Sequence, residues 1–137
     1  MNTVTSKVIY KGELRTISTH LNSQEQIITD APLDNNGKGE AFSPTDMVAN
    51  SLATCMFTIM GIKARDMQID LTSSSAEVTK VMASDPRRIS EIHVVFTIDI
   101  ALDQKSKTIL ERAAMTCPVF YSLHPDIKKE VIFNYTK

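Results

Sequence analysis

A chain of 137 residues, 42% apolar and 23% charged, is long enough for one domain with a real core and too short for two full ones. Its net charge of −1 offers no general attraction to nucleic acid or an anionic membrane, which usually shows as a basic surplus. No zinc-finger spacing or RNP-like aromatic motif occurs, and the start "MNTVTSKVIYKG" lacks the apolar run of a signal peptide, so the expectation is a cytoplasmic protein with neither nucleic acid nor membrane as partner.

The first third predicts short strands. "KVIYKG" and "LRTISTH" are β-prone and meet around Gly12, which predicts a hairpin, and "EQIITD" is a third strand. Residues 31–42, "APLDNNGKGEAF", carry Pro, Asn-Asn-Gly and a second Gly and predict a loop with a turn at Asn36-Gly37. The pattern changes at Ser43. In "SPTD", Ser is an N-cap candidate, Pro takes the first helical position and Asp46 follows three residues after the cap, close to a capping box. Apolar residues at spacings of three and four then predict a helix over Pro44–Arg65, with Leu52, Cys55 and Ile59 on its main face and small residues at Ala49, Ser51 and Ala53 for close approach. The stretch from Met47 to Ile62 is too short for a membrane span and is interrupted by Asn50, Ser51 and Thr54.

Two long strands follow. "QIDLTSSSAEVTKVMA" alternates weakly. In "ISEIHVVFTIDIAL", Ile92, Val94, Phe96, Ile98 and Ile100 face one way, and "SDPRR" between the two predicts an antiparallel turn. Asp103 is positioned to cap a second helix, "QKSKTILERAAMTC", with Ile109, Leu110, Ala113 and Ala114 inward; Pro118 interrupts or restarts it, "VFYSLHP" adds a turn, and "KEVIFNY" is a last strand. Strands, helix, strands, helix, strand, without repeats or linkers, predict a single α+β domain over residues 1–137.

Chemistry is concentrated in the two cysteines, Cys55 and Cys117. They fit four readings: inert core thiols, a structural disulfide, metal ligands or a reactive pair. A reducing compartment disfavours the structural disulfide while allowing a transient catalytic one. No C-x2-C pair exists and His20, His93 and His124 are scattered, so no metal site is expected. Free Cys commonly packs as a small hydrophobe. Cys117 precedes Pro118, so a helical turn starting there puts its thiol near free N–H groups that favour thiolate, whereas Cys55, in mid-helix, needs a cation from elsewhere.

"FSPTDMVANSLATC", followed 62 residues later by "AAMTCPVFYSL" and then by "KEVIFNY", resembles the OsmC/Ohr family of thiol-dependent peroxidases over residues 8 to 136. The resemblance implies antiparallel sheets wrapped around a long central helix in an intertwined homodimer. It makes Cys55 the peroxidatic thiol that reduces organic hydroperoxides and Cys117 the resolving thiol. A dithiol or lipoyl-type reductant regenerates the pair, and no metal, flavin or haem takes part. The family also places an Arg against the thiolate and an acidic residue near the helix start to hold that Arg. Here the acid falls at Asp46, with Thr45 where the Ohr branch carries it. Residues 31–42 contain no Arg, their only cation is Lys38, and the nearest upstream Arg is Arg15, whose plainest role is a solvated strand residue. These departures place the chain nearer the divergent OsmC-like branch. They leave two other functions in view, a small-molecule-binding protein that keeps its cysteines as packing and a redox sensor. Phe120 and Tyr121, and Met47, Met56, Met60 and Met115, are core candidates that also suit an apolar pocket.

Overall fold

In the computed structural model, which describes Asn2–Lys137, the chain divides into two compact units, Met1–Met47 and Val48–Lys137. The first unit holds an antiparallel sheet of three strands in sequence order: β1 (Ser6–Gly12), β2 (Arg15–His20) and β3 (Gln26–Asp30). Gly12 pairs with Arg15, so the first hairpin closes on the two residues Glu13 and Leu14. Both have positive φ, 54° and 64°, the mirror-image turn whose twist matches the flanking strands. The predicted loop contains one short 3-10 turn, Leu33–Asn35, and Asn36 follows it in the left-handed conformation. Gly37 is required next because a Cβ there would sit 1.8 Å from the Ala31 carbonyl oxygen.

The long helix α1 runs Pro44–Asp66, one residue beyond the expectation. Its start is a complete capping box: Ser43 Oγ accepts the Asp46 N–H at 3.0 Å, and Asp46 Oδ2 accepts the Ser43 N–H at 3.0 Å. The buried face is Ala49, Leu52, Ala53, Met56, Met60 and Ala64, so Cys55 and Ile59 lie beside the main stripe, half-buried, instead of on it. At 23 residues the helix is, by length and composition alone, long and apolar enough to cross a membrane, contrary to the sequence expectation; a third of its apolar window is buried, and Leu52, Met56 and Met60 belong to the core of the second unit.

The second unit carries the sheet β4 (Ser75–Ala83), β5 (Arg88–Ile98) and β6 (Lys128–Tyr135), with β5 central. The expected strand from residue 68 begins only at Ser75, after turns that include Asp70 accepting the Thr72 N–H at 2.9 Å. On β5, Ile92, Val94, Phe96 and Ile98 are all buried, as the alternation predicts. β4 pairs antiparallel with β5, but β6 pairs parallel to it, so this sheet is mixed and not wholly antiparallel. A parallel neighbour needs a crossover, and the chain between β5 and β6 supplies one through α2 (Gln104–Ala114) and α3 (Pro118–Ser122). Asp103 caps α2 by accepting the Ser106 N–H at 2.8 Å. Leu110 and Ala114 are its buried residues, with Ile109 and Ala113 half-buried, and the helix ends three residues short of the expected Cys117. Tyr135 donates to Glu111 Oε2 at 2.6 Å, pinning α2 to β6.

Candidate functional site

Cys117 is the N-cap of α3. Its Sγ accepts the Phe120 N–H at 3.2 Å, and Pro118 occupies the first helical position, where its missing N–H costs nothing. The same residue is fully buried in the cluster that contains Leu52, Met56, Phe96 and Ala114. Burial pushes the Cys117 thiol above its ordinary value, against the lowering by the Phe120 N–H, and Cys55 pushes it further the same way. The expectation that the turn would favour thiolate at Cys117 therefore fails: the N–H is in place, but desolvation outweighs it. The turn is also too short to add much dipole.

Cys55 lies about three turns into α1. It packs, half-buried, against the same buried cluster that contains Cys117. Both are free thiols. Residues 62 apart in sequence are thus brought together, one half-buried and one sealed in. An oxidant that enters from solvent meets Cys55 first. Of the pocket candidates, Met56 and Met60 are buried core residues, whereas Met115 is at the surface and Tyr121 is 70% exposed.

In the first unit Arg15 is not a solvated strand residue. Its Nε and Nη2 donate to the two oxygens of Asp30 at 2.7 and 2.8 Å, and Nη2 also reaches Glu40 Oε1 at 3.1 Å. The β2–β3 register sets Arg15 directly opposite Asp30. Asp30 is 1% exposed and also accepts the Glu40 N–H at 3.2 Å. Sequence reasoning missed Asp30 and Glu40; the alignment of Arg15 with the end of "EQIITD" was the available signal. Lys38 pairs with Glu13 at 3.0 Å. Asp46 is engaged in the capping box. Exposed Ile27, Ile28 and Phe42, with Glu40 and Asp46, line an open hollow of about 590 Å³ in this unit.

The Arg15 hydrogen bonds hold the Asp30 carboxyl below the usual carboxylate range. A lowered folded-state pKa contributes stability that is present above the unfolded value, about 3.9, and is lost as pH falls through the depressed folded value. Asp30→Asn should accordingly lower the thermal midpoint at pH 7 and flatten its decline below about pH 4. Thermal melts of both proteins across that range check this; parallel acid limbs would refute it.

His93 is not isolated either. The β5–β6 register sets it opposite Glu130, and Glu91 lies two residues along the same face, so their three ligand atoms fall within 4.8 Å of one another. Lys128 Nζ sits at 4.0 and 3.9 Å from the two carboxylates, which makes the group a surface ion-pair network. The His93 hydrogen bond lowers Glu91.

The family model described as OsmC-like protein matches residues 37–131. A search of curated proteins returned no match. Among solved structures, a Psychrobacter arcticus 273-4 protein, described as an osmotic stress induced and detoxification response protein, is 59% identical with a TM-score of 0.95, over 98% of each chain. An OsmC-like protein from Mycoplasma pneumoniae shares the fold at 17% identity and TM-score 0.81 over 100% of both chains. An organic hydroperoxide resistance protein from Legionella pneumophila shares it at 17% and 0.70, over 98% of this chain and 99% of that one. The family match covers both the helix that carries Cys55 and the turn that Cys117 caps, and with the near-complete likeness to the Psychrobacter protein it makes this chain a member of the OsmC family.

Proposed function

We propose that the protein is a cysteine-based peroxidase for organic hydroperoxides, with Cys55 as the attacking thiol and Cys117 as the resolving one. The observation that carries this reading is the meeting of a reachable Cys55 with a sealed Cys117 in one apolar cluster. The Cys55 thiolate attacks the terminal oxygen of the hydroperoxide; the S–O bond forms as the O–O bond breaks. The alkoxide leaves and takes a proton from solvent, and Cys55 becomes a sulfenic acid. The Cys117 sulfur then displaces that hydroxyl; its own proton leaves with the hydroxyl as water, and the disulfide remains. An external dithiol restores both thiols by exchange.

In this reading Asp46 serves by capping the helix that presents Cys55. The chain works as a homodimer in a reducing, cytoplasmic setting; Val48 and Ile62 on α1, 40% and 55% exposed, support a further apolar contact. Aryl and tertiary alkyl hydroperoxides, given with a dithiol, test the reading. Steady consumption that outpaces hydrogen peroxide supports it, and no consumption above background overturns it.

A further inference from the structure

We propose that Glu91, His93 and Glu130 form a binding site for one divalent transition-metal ion of the Zn2+ type, on the face of the second sheet opposite its buried one. The proposal does not draw on the peroxidase reading. Alternation along β5 puts Ile92 and Val94 into the core, so Glu91 and His93 both project from the other face, two residues apart. The parallel β5–β6 register sets Glu130 directly opposite His93. Two paired strands thus fix the origins of all three side chains, a firmer base than a loop. His93 Nε2 lies 2.9 Å from Glu91 Oε1 and 3.7 Å from Glu130 Oε2, and one ligand atom from each residue falls within 4.8 Å of the others. Around a tetrahedral ion with bonds of about 2.0–2.2 Å, ligand atoms lie about 3.4 Å apart. The two spacings from His93 bracket that value, so small side-chain rotations bring the three atoms onto one ion. Scattered histidines gave no reason in the sequence to expect a metal site; here two carboxylates, one of them from a neighbouring strand, complete the set around a single His.

The donor set selects the ion. One imidazole nitrogen with two carboxylate oxygens suits Zn2+ better than Mg2+ or Ca2+, which favour all-oxygen shells. Three protein ligands leave a fourth position for water. Two carboxylates beside a neutral imidazole also carry the charge that offsets a divalent cation. A weaker cation already answers that charge: Lys128, which the register sets opposite Glu91. Its Nζ is 4.0 Å from the Glu91 oxygen and 3.9 Å from that of Glu130, beyond the reach of about 3.2 Å for a hydrogen bond, and its side chain is 65% exposed. Exposed pairs of this kind contribute little, so a metal displaces the ammonium at small cost. The neighbours on the same face are uncharged: Thr79 and Val81 of β4 stand opposite His93 and Glu91, and Val95 pairs with Ile132 next along the sheet. An ion held there ties β6, the last strand and an edge of the sheet, to central β5.

The test is calorimetric titration of the reduced full chain with ZnCl2 and, separately, with MgCl2. Zn2+ should bind at one site, and Mg2+ should give no saturable heat. Losing a partner behind a ligand typically weakens a metal about 10–100-fold, so losing a ligand itself, in His93→Gln or Glu130→Gln, should weaken Zn2+ at least about tenfold. Lys128→Gln removes the competing cation and no ligand, so it should tighten Zn2+. Equal Zn2+ affinity in wild type, His93→Gln and Glu130→Gln puts the ion elsewhere and overturns the proposal; so does equal affinity for the two metals. Thiols also take Zn2+, so Co2+ is the second probe. The proposed site predicts visible d–d bands without the near-ultraviolet sulfur-to-metal band, and a sulfur-to-metal band at the first equivalent overturns it. Should a ligand variant fail to fold, the other two readings still decide: unchanged or weaker Zn2+ binding in Lys128→Gln also overturns the proposal.

Discussion

Cys55→Ser is expected to drop organic hydroperoxide consumption to the uncatalysed background while leaving the fold intact. The substitution exchanges sulfur for oxygen at a half-buried helical position and changes the volume little, so the stability change should stay below about 1.5 kcal/mol. Chemistry is affected far more. A serine hydroxyl does not ionise near neutral pH and is a weak nucleophile without an adjacent base. Cys117→Ser should behave differently: the first equivalent of hydroperoxide is still reduced, the sulfenic acid on Cys55 accumulates, and turnover with a dithiol slows. Stopped-flow consumption, with dimedone trapping of the sulfenic acid, separates the two. Comparable steady-state rates in wild type and Cys55→Ser would remove the catalytic role altogether.

Phe96→Ala should produce the largest stability loss in the second unit, about 3–5 kcal/mol. Phe96 is 0% exposed near the C-terminal end of the central strand. Its ring meets Phe57 of α1 edge-on, with centroids 4.8 Å apart and planes at 86°, and stacks on Phe133 of β6 at 5.1 Å and 7°. One side chain thus joins the helix that carries Cys55 to the two strands paired in parallel. Losing it removes both aromatic pairs, each worth about 0.5–1.5 kcal/mol beyond area, and leaves a cavity. Against a typical total of about 5–15 kcal/mol, the loss is a large fraction. Urea titration should show a lower midpoint at unchanged slope. Labelling of the sealed Cys117 should also accelerate, since the cluster that excludes solvent includes Phe96. A midpoint within the error of wild type would refute the packing argument.

Where local rules dominate, the structure follows the sequence closely. The capping box at Ser43 and Asp46, the Asp103 cap, the alternation along β5 and the restart of the helix at Pro118 each depend on residues within four positions of one another. Features set by distant pairing were not legible. Nothing in "KEVIFNY" distinguishes a parallel from an antiparallel neighbour, because its alternation is the same in either. The buried face of α1 is displaced from Cys55 and Ile59 because apolar residues surround the helix on several sides and periodicity alone leaves its rotation free. Asp30 looked like a strand end; its burial and its grip on Arg15 depend on the β2–β3 register. At Cys117 the sequence correctly located the N–H donor, but the net direction of the shift was decided by tertiary burial, a quantity no local motif carries.

The central claim is that Cys55 and Cys117 are two halves of one redox reaction. Peptide mapping of the reduced protein after one equivalent of cumene hydroperoxide tests it most directly. The account predicts a single new species with an intramolecular Cys55–Cys117 disulfide, reversed by a dithiol, and a Cys55 sulfenic acid in its place when Cys117 is serine. Oxidation of Cys55 to sulfinic acid beside an unmodified Cys117 thiol, or recovery of both thiols unchanged, would contradict it.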